Sequence, residues 1–400
     1  MNQTGPGYVP ELDGLRGGAS LAVLIVHCLI GVAVLPPGLI ADIRAVISQL
    51  LLSGVDLFFV LSGFLVGGIL LDNRERPNLF KVFWLRRIAR IFPANYLLLG
   101  SYVLATWLHR HMNITQLHIV LPDGTSPPLW TYATFTQNIW MADTGNAGPR
   151  WLAVTWSLAI EEQFYLFFFV AIVLLSRRTL VVVVVAAVVA APVLRTVAEW
   201  YFGWRAAYVL LPCRMDALMF GVIVTMLVRN KAALALAQRA HIFLDLAILL
   251  LIVFLIVGFA RDRIYVQPEQ PFVFNWWTLK YSMLALLYAL VVLRIFVRGG
   301  GLLNRLLRSR LLLKSAIISY GLYMYHEVVN LLLHGLVRNQ LPQVGSLDEV
   351  LLALLVMATA IGLSTLSHWG IEEPARRLAR SVQFEPICAS KKSQATLRLM

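Results

Sequence analysis

Two residues near the amino terminus, Arg16 and His27, stand eleven positions apart. On an α-helix that interval makes three turns plus about 20°, so both side chains leave one face, about 16 Å apart along the axis. An imidazole is the side chain whose ordinary pKa lies near neutrality, so His27 suits a general base; it equally suits a hydrogen bond to a neighbouring helix. A second candidate is the adjacent pair Glu161 and Glu162 within WSLAIEEQFY. Two carboxylates in an apolar run require that one be protonated or that one pair with a cation or imidazole. Turned toward His27, a carboxylate would fix the tautomer and stabilise the imidazolium, as in nucleophile–base–orienter sites. Paired with Arg214, it would be a structural ion pair.

A third group is basic. Arg86, Arg87 and Arg90 lie in FWLRRIARIFPA. Arg87 and Arg90 are three apart and share a helix face, a placement that suits a phosphate-bearing ligand as well as membrane topology and anionic lipid. Asp56, Arg214 with Asp216, and His326 with Glu327 complete the ionisable residues within apolar runs, and read first as packing polar groups. Arg214 and Asp216 diverge by about 200° on a helix, so each should seek a partner on another helix.

The elements that must position these groups are membrane helices. Of 400 residues, 59% are hydrophobic and 14% charged, against about 45–50% and 25% in soluble domains. At about 20 apolar residues per crossing, spans are expected at 19–36, 47–71, 91–108, 151–175, 179–194, 206–228, 242–260, 276–297, 315–336 and 350–371. The fold class is therefore all-α integral membrane, a bundle of about ten helices. Lys and Arg in alternate loops number 23 on one side and 8 on the other. The positive-inside rule then puts both termini in the cytoplasm, Arg16 at the cytoplasmic mouth and His27 near mid-membrane.

The net charge of +13 invites a nucleic-acid reading, but its cations occupy short segments between spans, where topology accounts for them; no nucleic acid is expected. Cys28, Cys213 and Cys388 make neither a disulfide framework nor a metal spacing, and no metal is expected. Glu11 and Asp13 precede the first apolar run and no small-x-small site follows, so that run reads as a retained span rather than a signal peptide. Residues 1–380 form one transmembrane domain, and 381–400 a basic cytoplasmic tail expected to be disordered.

Six motifs stand in order: YVPELDGLRGGASLAVLIVH (8–27), GVDLFFVLSGFL (54–65), RRIARIFPA (86–94), WSLAIEEQFY (156–165), ISYGLYMYH (318–326) and EEP (372–374). Together they resemble the membrane-bound acyltransferase-3 family over roughly residues 8–380. The resemblance implies an O-acyltransferase in the bacterial inner membrane. Such an enzyme moves an acyl group, commonly acetyl, from cytoplasmic acyl-CoA to a hydroxyl of a carbohydrate, glycolipid or glycosylated metabolite across the membrane. It also implies His27 as catalytic histidine, Arg16 as its partner, Glu161 as the motif glutamate, and Arg87 and Arg90, beside Arg86, as the acyl-CoA contacts. Surface polysaccharide, lipopolysaccharide, a lipo-oligosaccharide and a macrolide sugar all fit as acceptors. Tyr325 stands where the family often has Trp, and Glu373 in the middle of a frequent Glu-Arg-Pro, which weakens any transfer of role to His326. Some members add a hydrolase-like domain; after residue 380 only a short polar tail is present here, so a second transfer step would need another protein.

Two rival readings differ in class. A secondary transporter also uses midplane charges, but should show paired broken helices in two related halves; a membrane scaffold leaves the Arg-x-x-Arg motif unmotivated. The charge asymmetry makes a direct prediction. A single cysteine at Glu75 should react with an impermeant maleimide only after cells are opened, and one at Arg205 in intact cells; the reverse pattern would invert the bundle.

Overall fold

The computed structural model describes residues 7–112, 121, 126–264 and 276–386. Among them regular structure is helical, apart from one parallel bridge between Ala33 and Val344. The long helices are α1 (Pro10–Ile25), α2 (Leu39–Leu52), α3 (Gly54–Asn73), α4 (Leu79–Met112), α5 (Thr155–Leu174), α6 (Arg177–Phe202), α7 (Leu211–Arg229), α8 (His241–Ile264), α9 (Trp276–Val297), α10 (Arg310–Arg338) and α11 (Leu347–Ser367), followed by the short α12 (Glu373–Arg380).

Nine helices or helix pairs are long and apolar enough to cross a membrane among the described residues, against about ten expected. The difference lies at 315–336. That stretch falls within α10, whose 29 residues span about 44 Å, but whose sequence is too polar to qualify. Ser315, Ser319, His326, Asn330 and His334 of α10 are all buried, so its polar groups face protein rather than lipid. The opposite case is α8, whose most apolar window has mean hydropathy 3.1 and is only 11% buried, as a lipid-facing helix requires. The short apolar run at 179–194 is extended by α6 to Phe202, which carries Arg195 into the interior.

The interior is organised by two close helix crossings, α1 on α10 and α3 on α7. In the second, a Cβ placed on Gly63 would stand 1.8 Å from Leu218 O, and one on Gly221 2.1 Å from Val60 O. These backbones touch because neither glycine has a side chain, the small-residue packing usual between membrane helices.

Beside this crossing, Arg214 of α7 pairs with Asp56 of α3 at 2.5 Å, and Arg195 of α6 with Asp216 of α7 at 2.7 Å. Arg214 and Asp216 thus find partners on different helices. The Arg214 guanidinium also lies 4.0 Å from the Tyr281 ring centroid and 5.3 Å from that of Tyr208. Those π faces receive a cation whose Nε and Nη1 have no hydrogen-bond partner among the described residues. Removing one member of such a pair costs about 3–5 kcal/mol, because the other charge is left buried and alone.

Residues 381–386 are not separate from the bundle. Val382 O accepts from Arg86 at 3.1 Å, Gln383 O from Asn78 at 2.9 Å, and Phe384 lies under the Arg86 guanidinium at 5.1 Å. The rest of the expected tail, with Cys388, and the loop residues Pro122, Asp123 and Gly124, lie outside the described residues.

Overpacking the α3–α7 crossing should be destructive. Gly63→Leu or Gly221→Leu should lower thermal stability in detergent by about 3 kcal/mol or abolish the monodisperse peak. Gly18→Ala, whose added Cβ would meet only Leu312 Cδ2 at 3.9 Å, should leave both unchanged.

Candidate active site

After Ile25, α1 widens into a π turn, Val26–Ile30, closed by Gly31 N donating to Val26 O at 2.7 Å. A π turn shifts the ladder by one residue and re-aims the side chains within it, and such turns recur at functional sites. Here it carries His27, whose backbone carbonyl accepts from Asn330 Nδ2 of α10 at 3.0 Å. Helix and π turn together run Pro10–Ile30, or about 31 Å, and His27 lies about 26 Å along. It therefore sits near the end of that helix which leads to the 31–38 loop, eleven residues beyond Arg16.

The partner of His27 is also not the expected one. His27 Nδ1 stands 2.8 Å from His326 Nε2, with the rings 5.0 Å apart and only 10° from parallel. His326 Nδ1 in turn stands 3.1 Å from Leu322 O. A carbonyl only accepts, so His326 Nδ1 carries the proton and its Nε2, in the neutral ring, is a lone pair. The network then assigns the proton between the rings to His27 Nδ1, which leaves His27 Nε2 unprotonated. His326 is fully buried, whereas His27 is half-buried. Beyond the pair, Glu327 meets Arg150 at 3.5 Å, and Arg150 is 48% exposed at that end of the bundle. Ligand atoms of His27, His326 and Glu327 lie within 4.8 Å of one another, close enough to hold a cation, although the two imidazoles already use the facing nitrogens on each other.

Glu161 does not touch this pair. Its Oε2 accepts from Tyr165 Oη at 2.6 Å and Ser62 Oγ at 3.0 Å, and those two hydroxyls lie 2.6 Å apart. The Arg87 guanidinium lies 5.4 Å from the centroid of the Tyr165 ring. Neither expected role for the glutamates, orienter of His27 or partner of Arg214, is the one observed: His326 takes the first place and Asp56 the second. Glu162 Oε1 is buried with no hydrogen-bond partner among the described residues.

Two cavities adjoin these groups, neither bordered by His27 or His326 itself. The inner one is bordered by Arg87, Ser62, Glu161 and Tyr165 along its length and by Phe58 and Tyr323 toward His326. The Phe58 and Tyr323 rings meet edge to face at 5.8 Å, and Tyr323 lies 6.0 Å from His326. Tyr323 Oη is fixed by Ser157 Oγ at 2.6 Å. The outer cavity is a wide basin at the end that holds Tyr8, the start of α4 and α12, and both cavities are bordered by Arg16 and Arg90. The Arg-x-x-Arg pair is thus divided: Arg90 stands where the basin meets the inner cavity, Arg87 borders only the inner cavity, and Arg86 borders only the basin. Arg16 is held by Asp13 at 3.1 Å.

Of the residues singled out in the sequence, Arg16, Arg86, Arg87, Arg90 and Glu161 border the two cavities and His27 does not; His326, Asn330, Ser62 and Tyr165 were not expected as their partners. The signal available for His326 was its polar neighbourhood, a His-Glu pair in a helix that also carries Asn330 and His334.

A family profile described as an acyltransferase domain matches residues 9–369. Among curated proteins, the Bacillus subtilis protein YrhL, provisionally named a peptidoglycan O-acetyltransferase, is 38% identical over 164 residues, 40% of this chain and 23% of its own length. An O-acetyltransferase of Staphylococcus aureus strain COL, also provisionally named, is 34% identical over 162 residues, 40% of this chain and 24% of its own. The Listeria monocytogenes peptidoglycan O-acetyltransferase OatA is 34% identical over 162 residues, again 40% of this chain and 23% of its own. The matched stretch is about a quarter of these relatives' length. No solved structure matches. The chain belongs to the acyltransferase-3 family.

The proton assignment is measurable. In 15N-histidine-labelled protein near neutral pH, His27 should give the neutral Nδ1–H signature and His326→Gln should shift the His27 resonances. An Nε2–H His27 in the unmodified protein would contradict it.

Proposed function

We propose that this member of the acyltransferase-3 family is a membrane O-acetyltransferase whose His27 acts as general base on an acceptor hydroxyl. The observation that carries the reading is the bare Nε2 of His27, fixed by His326; Tyr323, 6.0 Å from His326, borders the inner cavity, which shares Arg16 and Arg90 with the basic basin. The donor is acyl-CoA, with its phosphates in the basin at Arg90 and Arg86 and its thioester reaching past Ser62, Glu161 and Tyr165 toward the Phe58–Tyr323 contact. Arg87 lies along the middle of this route, closer to the Tyr165 hydroxyl network than to the phosphates. The basin end is cytoplasmic, in keeping with the distribution of Lys and Arg.

At the other end the acceptor oxygen loses its proton to His27 Nε2 and attacks the thioester carbonyl carbon. The carbon–sulfur bond breaks, and the sulfur leaves as thiolate and takes the proton held on His27 Nε2, giving free CoA and the neutral imidazole. While His27 carries the extra proton, its Nδ1–H bond to His326 Nε2 holds the ring in place. The neutral His326 positions His27 without the Coulombic help a carboxylate would give. The names of the relatives favour a carbohydrate acceptor and an acetyl group.

In inverted membrane vesicles supplied with radiolabelled acetyl-CoA and a glycan acceptor, His27→Ala at matched expression should lower transfer at least about 100-fold. His326→Gln should lower turnover about tenfold or more with little change in the acetyl-CoA requirement. Undiminished transfer by His27→Ala would remove the proposal. Ion-coupled solute uptake without acetyl-CoA consumption would favour transport instead.

A further inference from the structure

The basin has a second basic wall that the Arg-x-x-Arg motif does not supply. Seven cationic residues border it against two carboxylates, Asp13 and Glu373. Arg16, Arg86 and Arg90 come from the starts of α1 and α4; Lys314 comes from α10, and Arg376, Arg377 and Arg380 from α12. The α12 cations are under-neutralised where they stand. Glu373 is shared by Arg376 at 3.5 Å, Arg377 at 3.0 Å and Arg380 at 3.4 Å. Arg376 is the least exposed of the three, at 24% against 69% and 60%. Its Nη2 donates to His368 Nδ1 at 2.9 Å, in the second π turn of the chain, His368–Glu372. Its Nε is buried with no hydrogen-bond partner among the described residues, and the same holds for Arg86 Nε on the other wall. Two buried guanidinium donors left open around a cationic basin call for an anion with several acceptor oxygens.

We propose that α12 is the second half of the donor site, with Arg376 and Arg380 taking the terminal phosphomonoester of acyl-CoA. This rests on acyl-CoA being the donor. The order of charges along the path carries the assignment. A linear donor whose thioester lies in the inner cavity leaves its diphosphate at the neck, where Arg16 and Arg90 border both cavities, and its ribose phosphomonoester farther out, opposite Arg86. A dianionic monoester offers three oxygens and suits two guanidiniums one helical turn apart, such as Arg376 and Arg380. The ends of the transmembrane domain would then assemble the donor site: α12 follows the last long helix, and residues 382–384 brace Arg86.

The chemistry of the anion could also come from a lipid headgroup phosphate, and the test separates the two. The full chain in nanodiscs of zwitterionic lipid is titrated calorimetrically with CoA and with dephospho-CoA, which lacks only the phosphomonoester. The unmodified protein should bind CoA about tenfold tighter. Arg376→Gln/Arg380→Gln should bind both at the dephospho-CoA level, with dephospho-CoA affinity unchanged within about twofold, and Arg376→Lys should recover part of the preference. An unaltered His27 resonance in the double variant shows that the bundle is intact. A preference for CoA retained by the double variant would overturn the assignment while leaving the donor reading in place. In a parallel reconstitution with phosphatidylglycerol present, a loss by the double variant confined to retention of that lipid would assign α12 to lipid and overturn it too. Binding of neither nucleotide by the unmodified protein would overturn both.

Discussion

How closely α1 can approach α10 decides the geometry of the site. A Cβ on Gly17 would stand 2.0 Å from Leu312 O of α10, and one on Gly14 2.0 Å from Leu307 O in the short helix just before it, so the backbones touch near the basin. Helices that touch there stay close enough about 15–20 Å farther along for two imidazole nitrogens to meet at 2.8 Å. Larger side chains at the crossing would separate the helices by more than a hydrogen bond can bridge. Asn330 adds a second tie, holding the π-turn carbonyl of His27 from the same α10 that carries His326. The ring pair is thus fixed by its backbones as much as by its own contact.

The buried charges do a different task. Arg214–Asp56 and Arg195–Asp216 lie away from both cavities and join α3, α6 and α7 through hydrogen-bonded ion pairs with aromatic faces around Arg214. In a medium with few other partners, each charge specifies its neighbour, because any other arrangement leaves it alone in low dielectric. This fixes the wall of the bundle against which α1 packs through α3. It also explains why so polar a sequence as α10 is tolerated: its serines, histidines and Asn330 face protein, while helices such as α8 face lipid.

Much of the architecture was legible in one dimension because lipid imposes a simple rule. Every crossing must be an apolar helix of about 20 residues, so composition alone revealed the long helices. The helix expected at 315–336 is present in α10, but it is more polar than a lipid-facing span, because burial within protein lets a helix carry polar groups. The same burial lets α1 extend back to Pro10, with Arg16 held beside Asp13. The site residues were recognisable by type because a histidine, paired glutamates and clustered arginines are costly within apolar runs. Their pairing was not recognisable, since Glu161 and His326 lie equally far from His27 as far as sequence can say.

By itself, then, the sequence determined the class of the protein, the family motifs, and the set of ionisable residues that require partners, because hydropathy and residue chemistry are local properties. The tertiary structure decided which partners they have. It gave His27 a histidine rather than a carboxylate, turned Glu161 to Ser62 and Tyr165, divided Arg87 from Arg90, and folded α12 back over the basin. Each choice depends on angles and backbone separations between helices far apart in the chain, and these follow from glycine crossings and buried ion pairs that no single segment contains.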